Sequence, residues 1–209
     1  MTDRFQHPRF AEAFARTVPV MDARGAAAHR ARLVADLTGR VLELGAGTGA
    51  MFAHYPPAVT TVLAVEPEDT LRDQANRAAA TAPVPVTVVA GHADDLPAGD
   101  GSLDAVVASL VLCTVPRLDT ALAEVRRVLR PGGELRFYEH VRSDNRLAAT
   151  VEQLVTPLWS RVAGGCHPDR DTVGAIRRAG FTVDRVDRFG FSPAPLFPRT
   201  AHVLGTAHR

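Results

Sequence analysis

Apolar positions along the chain recur with two periods, and the switches between them mark alternating helices and strands. Phe5, Phe10, Phe14 and Val18 form one apolar stripe, so residues 5–37 read as a helical leader, broken at Pro19 and resumed from about Asp22 to Leu37. The run Arg40–Leu44 is the first strand, with a short helix expected after it through Phe52. Thr60–Val65 is a second strand, residues 68–80 a helix, Val84–Ala90 a third strand and Ala105–Ala108 a fourth. The spacing of Leu118, Leu122, Val125 and Leu129 predicts a helix over Asp119–Leu129, stopped by Arg130-Pro131-Gly132-Gly133 before a fifth strand, Glu134–Val141. Residues 145–163 read as a helix interrupted by Pro157 and ended by Gly164-Gly165, and Asp171–Ala179 as another, capped by Gly180. Phe181–Phe189 and His202–Ala207 are the last strands. The segment Phe189–Pro198 between them is too rich in proline for a ladder and reads as an apolar loop. No repeat or linker is visible, and 209 residues fit one domain: a leader over residues 1–38 and a core over 39–209.

The chain is organised around Val41-Leu42-Glu43-Leu44-Gly45-Ala46-Gly47-Thr48-Gly49-Ala50, where an apolar strand runs into three glycines. Glycine tolerates positive φ and has no Cβ to hold off a ligand. Gly45-x-Gly47-x-x-Ala50 also satisfies the dinucleotide fingerprint, so the glycines alone leave the ligand open. Glu43 breaks the tie. Its position near the end of the strand puts a carboxylate beside the ligand crevice, where it repels pyrophosphate and attracts a cation such as the ammonium and sulfonium of S-adenosylmethionine (SAM). The bland alternative is a solvated glutamate at a strand edge.

Glu66 lies 21 residues beyond Gly45, near the offset at which an acid meets ribose hydroxyls, although Glu68 and Asp69 also make it a candidate helix-start acid. Pro67 follows it. The loop Gly91–Pro97, with His92, Ala93 and Asp94, sits at the ligand edge of the sheet; Asp94 suits an adenine amino group, or simply a turn with Asp95. Glu43, Gly45, Ala46, Gly47, Gly49, Glu66, Pro67, His92, Ala93, Asp94, Ser109 and Leu110 are thus the candidate donor-binding residues.

Composition narrows the partners. Apolar residues make up 46% and charged residues 22%, which suits a globular core. A net charge of +1 gives no steering toward nucleic acid. All 24 basic residues are arginine, which reads as genome composition bias. Cys113 and Cys166 fall in unrelated contexts, arguing against a disulfide framework or a zinc site, and no metal is expected. Met1-Thr2-Asp3-Arg4 opens no apolar signal region, and the longest apolar run, Ala105–Val115, is shorter than the ~20 residues of a membrane span. The expectation is a cytoplasmic protein with no membrane span, monomeric or homodimeric.

With Val41-Leu-Glu-Leu-Gly-Ala-Gly-Thr-Gly49, Val65-Glu66-Pro67, Gly91–Pro97, Gly101-Ser-Leu-Asp104 and Glu124–Gly133 in this order, the chain resembles the class I SAM-dependent methyltransferases over almost its whole length. The resemblance implies a Rossmann-like α/β fold: a seven-stranded, mostly parallel sheet with helices on both faces and an antiparallel last strand. It also implies SAM as methyl donor and S-adenosylhomocysteine as product. Tyr55-Pro56-Pro57, Leu110–Val115, Phe137–Val141, Pro157–Trp159, Gly165-Cys166 and the Arg170–Phe181 region resemble, more narrowly, the methyltransferase-like thiol S-methyltransferases. Animal members carry an N-terminal membrane anchor that this sequence lacks, so the expectation is a soluble bacterial relative.

Methyl transfer needs an aligned nucleophile, and a thiol, with a pKa of ~8.5, needs no strong base to expose it. His140, at the end of strand five, is the first candidate base and His167 the second; either is also readable as a structural histidine. Cys113 reads as core or pocket wall. Phe10 and Phe14 in the leader, and Phe191 and Phe197 in the late loop, are expected to close over a small, partly apolar acceptor. Three other readings stand beside thiol methylation: an O-, N- or C-methyltransferase of a small metabolite (natural product, quinone or lipid), an NAD-dependent oxidoreductase, and a non-catalytic SAM-binding subunit. Glu43 and Pro131-Gly132-Gly133 argue against the oxidoreductase.

Overall fold

A computed structural model describes residues 5–195 and 197–209. Met1–Arg4, on which the expectation about an amino-terminal signal rests, and Leu196 of the proline-rich segment lie outside the described residues.

Valine- and leucine-rich runs form the sheet because branched side chains suit a pleated surface buried on both faces. Its strands are β1 (Gly39–Leu44), β2 (Val59–Val65), β3 (Val86–Val89), β4 (Leu103–Ser109), β5 (Leu129–His140), β6 (Thr182–Phe191) and β7 (Thr200–His208). They lie in the order β3-β2-β1-β4-β5-β7-β6. Strands β1 to β5 pair in parallel, and β7 runs antiparallel to both β5 and β6. One face packs Leu42, Leu44 and Val106 against α4 (Leu118–Val128) and α6 (Thr172–Arg178). The other packs Val41, Val62 and Val107 with residues of α2 (Ala27–Val34) and α3 (Asp69–Ala79). The sheet order reverses at β1, which lies between β2 and β4, so a crevice opens beyond the carboxyl ends of these strands.

Several boundaries differ from the sequence reading. Helix α1 (Pro8–Met21) runs through Pro19, which removes one backbone donor without ending the helix. The break comes instead at Gly25, whose φ of +117° lies in the wide turn Asp22–Ala26 before α2. The glycine turn leads not into a helix but into turns and a single 3₁₀ turn, Phe52–His54. Arg130–Gly133 is an irregular stretch inside β5, where the register to β4 shifts, rather than a loop before the strand. Helix α5 (Arg146–Val162) also continues through its proline, Pro157, and starts at an Asn145 side chain that accepts from the N–H groups of Leu147 and Ala148. Phe191 belongs to β6, so the proline-rich loop begins only after it. Among the described residues, no helix is long and apolar enough to cross a membrane.

Candidate active site

A cavity of about 280 Å³ lies at the carboxyl ends of β1, β2 and β4, with α1 over it. Of the expected donor-binding residues, Glu43, Gly45, Ala46, Gly47, Glu66, Pro67, His92, Ala93, Asp94, Ser109 and Leu110 line it, and Gly49 does not. Gly45 and Gly47 have φ of +64° and +57°. A Cβ on Gly45 would lie 2.5 Å from Val111 Cγ2, whereas one on Gly47 would meet only Phe14, at 3.5 Å. Gly45 therefore permits close approach of two loops, and Gly47 supplies the turn conformation on the open side. Gly49 works from behind: its Cβ would sit 2.8 Å from Ala78, so it lets the turn pack on α3.

The two expected acids are buried and differently held. Glu66 accepts from Gly47 N–H at 2.7 Å through one oxygen and from Glu68 N–H at 3.0 Å through the other. Burial raises its pKa while these two donors pull it down. Each oxygen keeps a further lone pair, so the carboxylate remains able to accept from hydroxyl groups. Glu43 is 1% exposed and accepts from Tyr55 OH at 2.8 Å. Burial pushes its carboxyl up to about 8, although Tyr55 and the nearby Arg30 oppose the shift. Arg30 of α2 also lines the cavity and is held by Asp22. The sequence reading gives Arg30 no role and Tyr55 only a place in a resemblance motif, because both reach Glu43 only through the fold.

Asp94 is held by Arg117, whose Nε and Nη2 donate to Oδ2 at 3.0 and 2.8 Å. His92 stacks on Phe5 with ring centres 5.2 Å apart, and its buried Nδ1 has no hydrogen-bond partner among the described residues. Gln6 donates to the Pro67 carbonyl at 2.9 Å, so the start of the leader is tied to the β2 and β3 edge. An orphaned nitrogen, two buried carboxylates and a glycine turn open on one side fit a polar, cationic nucleoside.

The opposite wall is built by the loop after β4. Leu110 has φ of +59°, a strained value for a branched residue, and donates to the Tyr138 carbonyl at 2.6 Å. Glu139, fully buried, accepts from the N–H groups of Val111, Leu112 and Cys113 at 3.1, 2.9 and 3.0 Å. Burial raises its pKa to about 7 against those three donors. The one signal for this pin in the sequence is an acid following Phe137 and Tyr138 in a strand with no local partner. Lining this side are Leu110, Val111, Thr114, Val115, Pro116, Gly164 and Gly165, and α1 contributes Phe10, Phe14 and Val18. None of these side chains titrates. Phe10 and Phe14 stack at 5.8 Å, and a Cβ on Gly164 would lie 2.4 Å from the Phe10 ring.

The two expected bases lie elsewhere. His140 and His167 do not line the cavity. The antiparallel register pairs His140 with His202, and their rings stack at 4.8 Å and 2°. His140 Nδ1 lies 3.6 Å from Cys166 Sγ, which in turn lies 3.9 Å from Cys113 Sγ. The two cysteines, far apart in sequence, thus meet behind the cavity wall. The Cys113 thiol and His140 favour the Cys166 thiolate, while Cys113 itself is pushed up by Cys166 and by burial. His167 donates its backbone N–H to the Cys113 carbonyl at 2.8 Å. The late aromatics also miss the cavity: Phe191 packs edge-on to His29 and His202, and Phe197 lies against Trp159.

Residues 42–137 match the family described as a methyltransferase domain. The human thiol S-methyltransferase TMT1B is 37% identical over 173 residues, covering 80% of this chain and 69% of that protein. A ubiquinone/menaquinone biosynthesis C-methyltransferase of Methylobacterium nodulans is 32% identical over 166 residues, 73% of this chain and 66% of that one. A SAM-dependent methyltransferase structure from Thermotoga maritima superposes with a TM-score of 0.70 at 23% identity, covering 96% of both chains.

Proposed function

Because the chain belongs to the SAM-dependent methyltransferases, we propose that its acceptor is a small, partly apolar thiol and its product a methyl thioether. SAM supplies the electrophilic methyl group, carried on a sulfonium. The observation that carries the acceptor assignment is the wall formed by α1, the loop after β4 and Gly164-Gly165, whose side chains carry no titratable group, with His7 lining the cavity just before α1. Oxygen and carbon acceptors call for a positioned base. A thiol, with a pKa of ~8.5, supplies thiolate near neutral pH and releases its proton to solvent. The similarity to thiol S-methyltransferases supports the same reading.

Each residue then has a task. Glu66 takes ribose hydroxyls while Gly47 and Glu68 hold it in place. Glu43, steadied by Tyr55, supplies negative charge toward the cationic end of the donor. Gly45, Ala46, Gly47, Pro67, Ser109 and Leu110 form the backbone cradle, and His92, Ala93 and Asp94 receive the base, with Gly49 supporting the turn from α3. The leader, residues 1–38, acts as lid to the core of residues 39–209. Its Phe10 and Phe14 exclude water, and a dry wall favours a step in which opposite charges cancel. His140 and His167 are positioning residues: through Cys166 and the Cys113 carbonyl they hold Gly164-Gly165 against the loop after β4. A panel of thiols, phenols, amines and activated carbon acids, incubated with SAM, tests the assignment. S-methyl products support it, and turnover confined to another class overturns it.

A further inference from the structure

The two cysteines form a pair that methyl transfer leaves unused. Cys113, in the loop after β4, is buried, and Cys166, directly after Gly164-Gly165, is partly exposed. Their sulfurs lie 3.9 Å apart, at contact distance for two thiols. The backbones beside them are held together as well, because His167 donates its N–H to the Cys113 carbonyl at 2.8 Å. A disulfide bond is about 2.05 Å long, so the pair closes by a short approach of two side chains that already touch.

The surroundings give the two sulfurs different roles. The Cys113 thiol and His140, whose Nδ1 lies 3.6 Å from the Cys166 sulfur, favour the Cys166 thiolate against its burial. The Trp159 indole nitrogen, buried and without a geometric hydrogen-bond partner among the described residues, acts in the same direction. A thiolate is the form that attacks oxidants, and Cys166 is the sulfur that solvent reaches. Cys113 is kept a thiol by Cys166, by burial and by the Glu139 carboxylate. Glu139 Oε2 accepts from the Cys113 N–H at 3.0 Å and keeps a lone pair for the thiol proton.

We propose that Cys166 and Cys113 are a hydroperoxide-reactive pair that forms a reversible disulfide behind the cavity wall. The Cys166 thiolate attacks one peroxide oxygen, the O–O bond breaks, and Cys166 becomes a sulfenic acid while the other oxygen leaves and takes up a proton. Cys113 then passes its proton to Glu139 and attacks the Cys166 sulfur. The S–S bond forms, the S–O bond breaks, and the departing hydroxide takes that proton to become water. Two thiols are oxidised to one disulfide as the peroxide is reduced, and a dithiol reverses the change by exchange. Oxidation also consumes the thiolate that faces His140. Resting on the acceptor wall proposed above, where His140 acts through Cys166 to hold Gly164-Gly165, this loss should raise the acceptor KM as His140→Ala does and leave SAM affinity unchanged.

Peptide mapping by mass spectrometry after treatment with hydrogen peroxide tests the pair without any acceptor. The wild type should lose both free thiols, show a Cys113–Cys166 cross-link lighter by two hydrogens than the dithiol, and recover both thiols with dithiothreitol. Cys113→Ser should stop at a sulfenic acid on Cys166 that dimedone traps, and Cys166→Ser should keep its Cys113 thiol. Two surviving thiols in the treated wild type, or over-oxidised Cys166 in place of the cross-link, would overturn the proposal. Initial rates of the cross-linked wild type, with whichever acceptor the panel identifies and read before a thiol acceptor reduces the bond, should show the higher KM and its reversal by dithiothreitol. An unchanged KM in fully cross-linked protein would overturn the link to the wall.

Discussion

Glu43 gives the sharpest quantitative expectation. In the free protein its buried carboxyl titrates at about 8, so at pH 7 only about one-tenth of the molecules carry the charge proposed to attract the donor. Binding must then expel a proton. As long as the bound carboxyl titrates below this range, SAM affinity should rise about tenfold between pH 6 and pH 7, or about 1.4 kcal/mol. Titration calorimetry in two buffers of different ionisation enthalpy should count close to one proton released per donor bound. Glu43→Gln should bind more weakly and flatten that slope. Tyr55→Phe removes a hydrogen bond that lowers the Glu43 pKa, so it should move the rise to higher pH. Folding stability follows the same linkage with a fixed sign. The folded protein keeps a proton that the unfolded chain loses near the ordinary value of 4.5, so this contribution is full below that pH and is lost as pH rises through about 8. Glu43→Gln, without donor, should therefore gain most over the wild type above pH 8. A variant that keeps the wild-type pH slope of SAM binding would refute the reasoning.

Three further outcomes follow from the site. Glu66→Ala should weaken SAM binding by about 1.5–3 kcal/mol, the range for hydrogen bonds to a charged group; equal affinity in a folded variant would remove Glu66 from the site. Phe10→Ala with Phe14→Ala should lower turnover while circular dichroism shows the fold retained, and full activity would reduce α1 to packing. For His140→Ala, a positioning role predicts a higher KM for the acceptor with an unchanged pH profile. A loss concentrated at acidic to neutral pH and rescued at high pH would instead make it a base.

The parts of the site that were legible in the sequence are those whose chemistry is local. The glycine turn and Glu66 announce themselves by spacing, because strand, turn and the next strand follow one another at fixed lengths. Gly49 shares that spacing but faces α3, a distinction that only the packing of Ala78 and Phe52 makes. Pro19 and Pro157 read as breaks, yet each helix continues through its proline, and α1 breaks where Gly25 adopts positive φ. His140 ends β5 at the ligand edge of the sheet, as its position predicts, but pairing with β7 turns it onto His202. Arg30 is silent in the sequence, and Tyr55 and Glu139 show there only as members of resemblance motifs, because each meets its partner across the fold. The same is true of Cys113 and Cys166, 53 residues apart in the chain and in contact behind the wall.

Mass spectrometry of the methylated product, from one acceptor bearing both a thiol and a phenol, tests the central claim most directly. With SAM labelled on its methyl carbon, the label should appear on sulfur, and the rate should rise as pH approaches the thiol pKa because the thiolate is the nucleophile. Label on oxygen or carbon, with the thiol left free, would contradict the account.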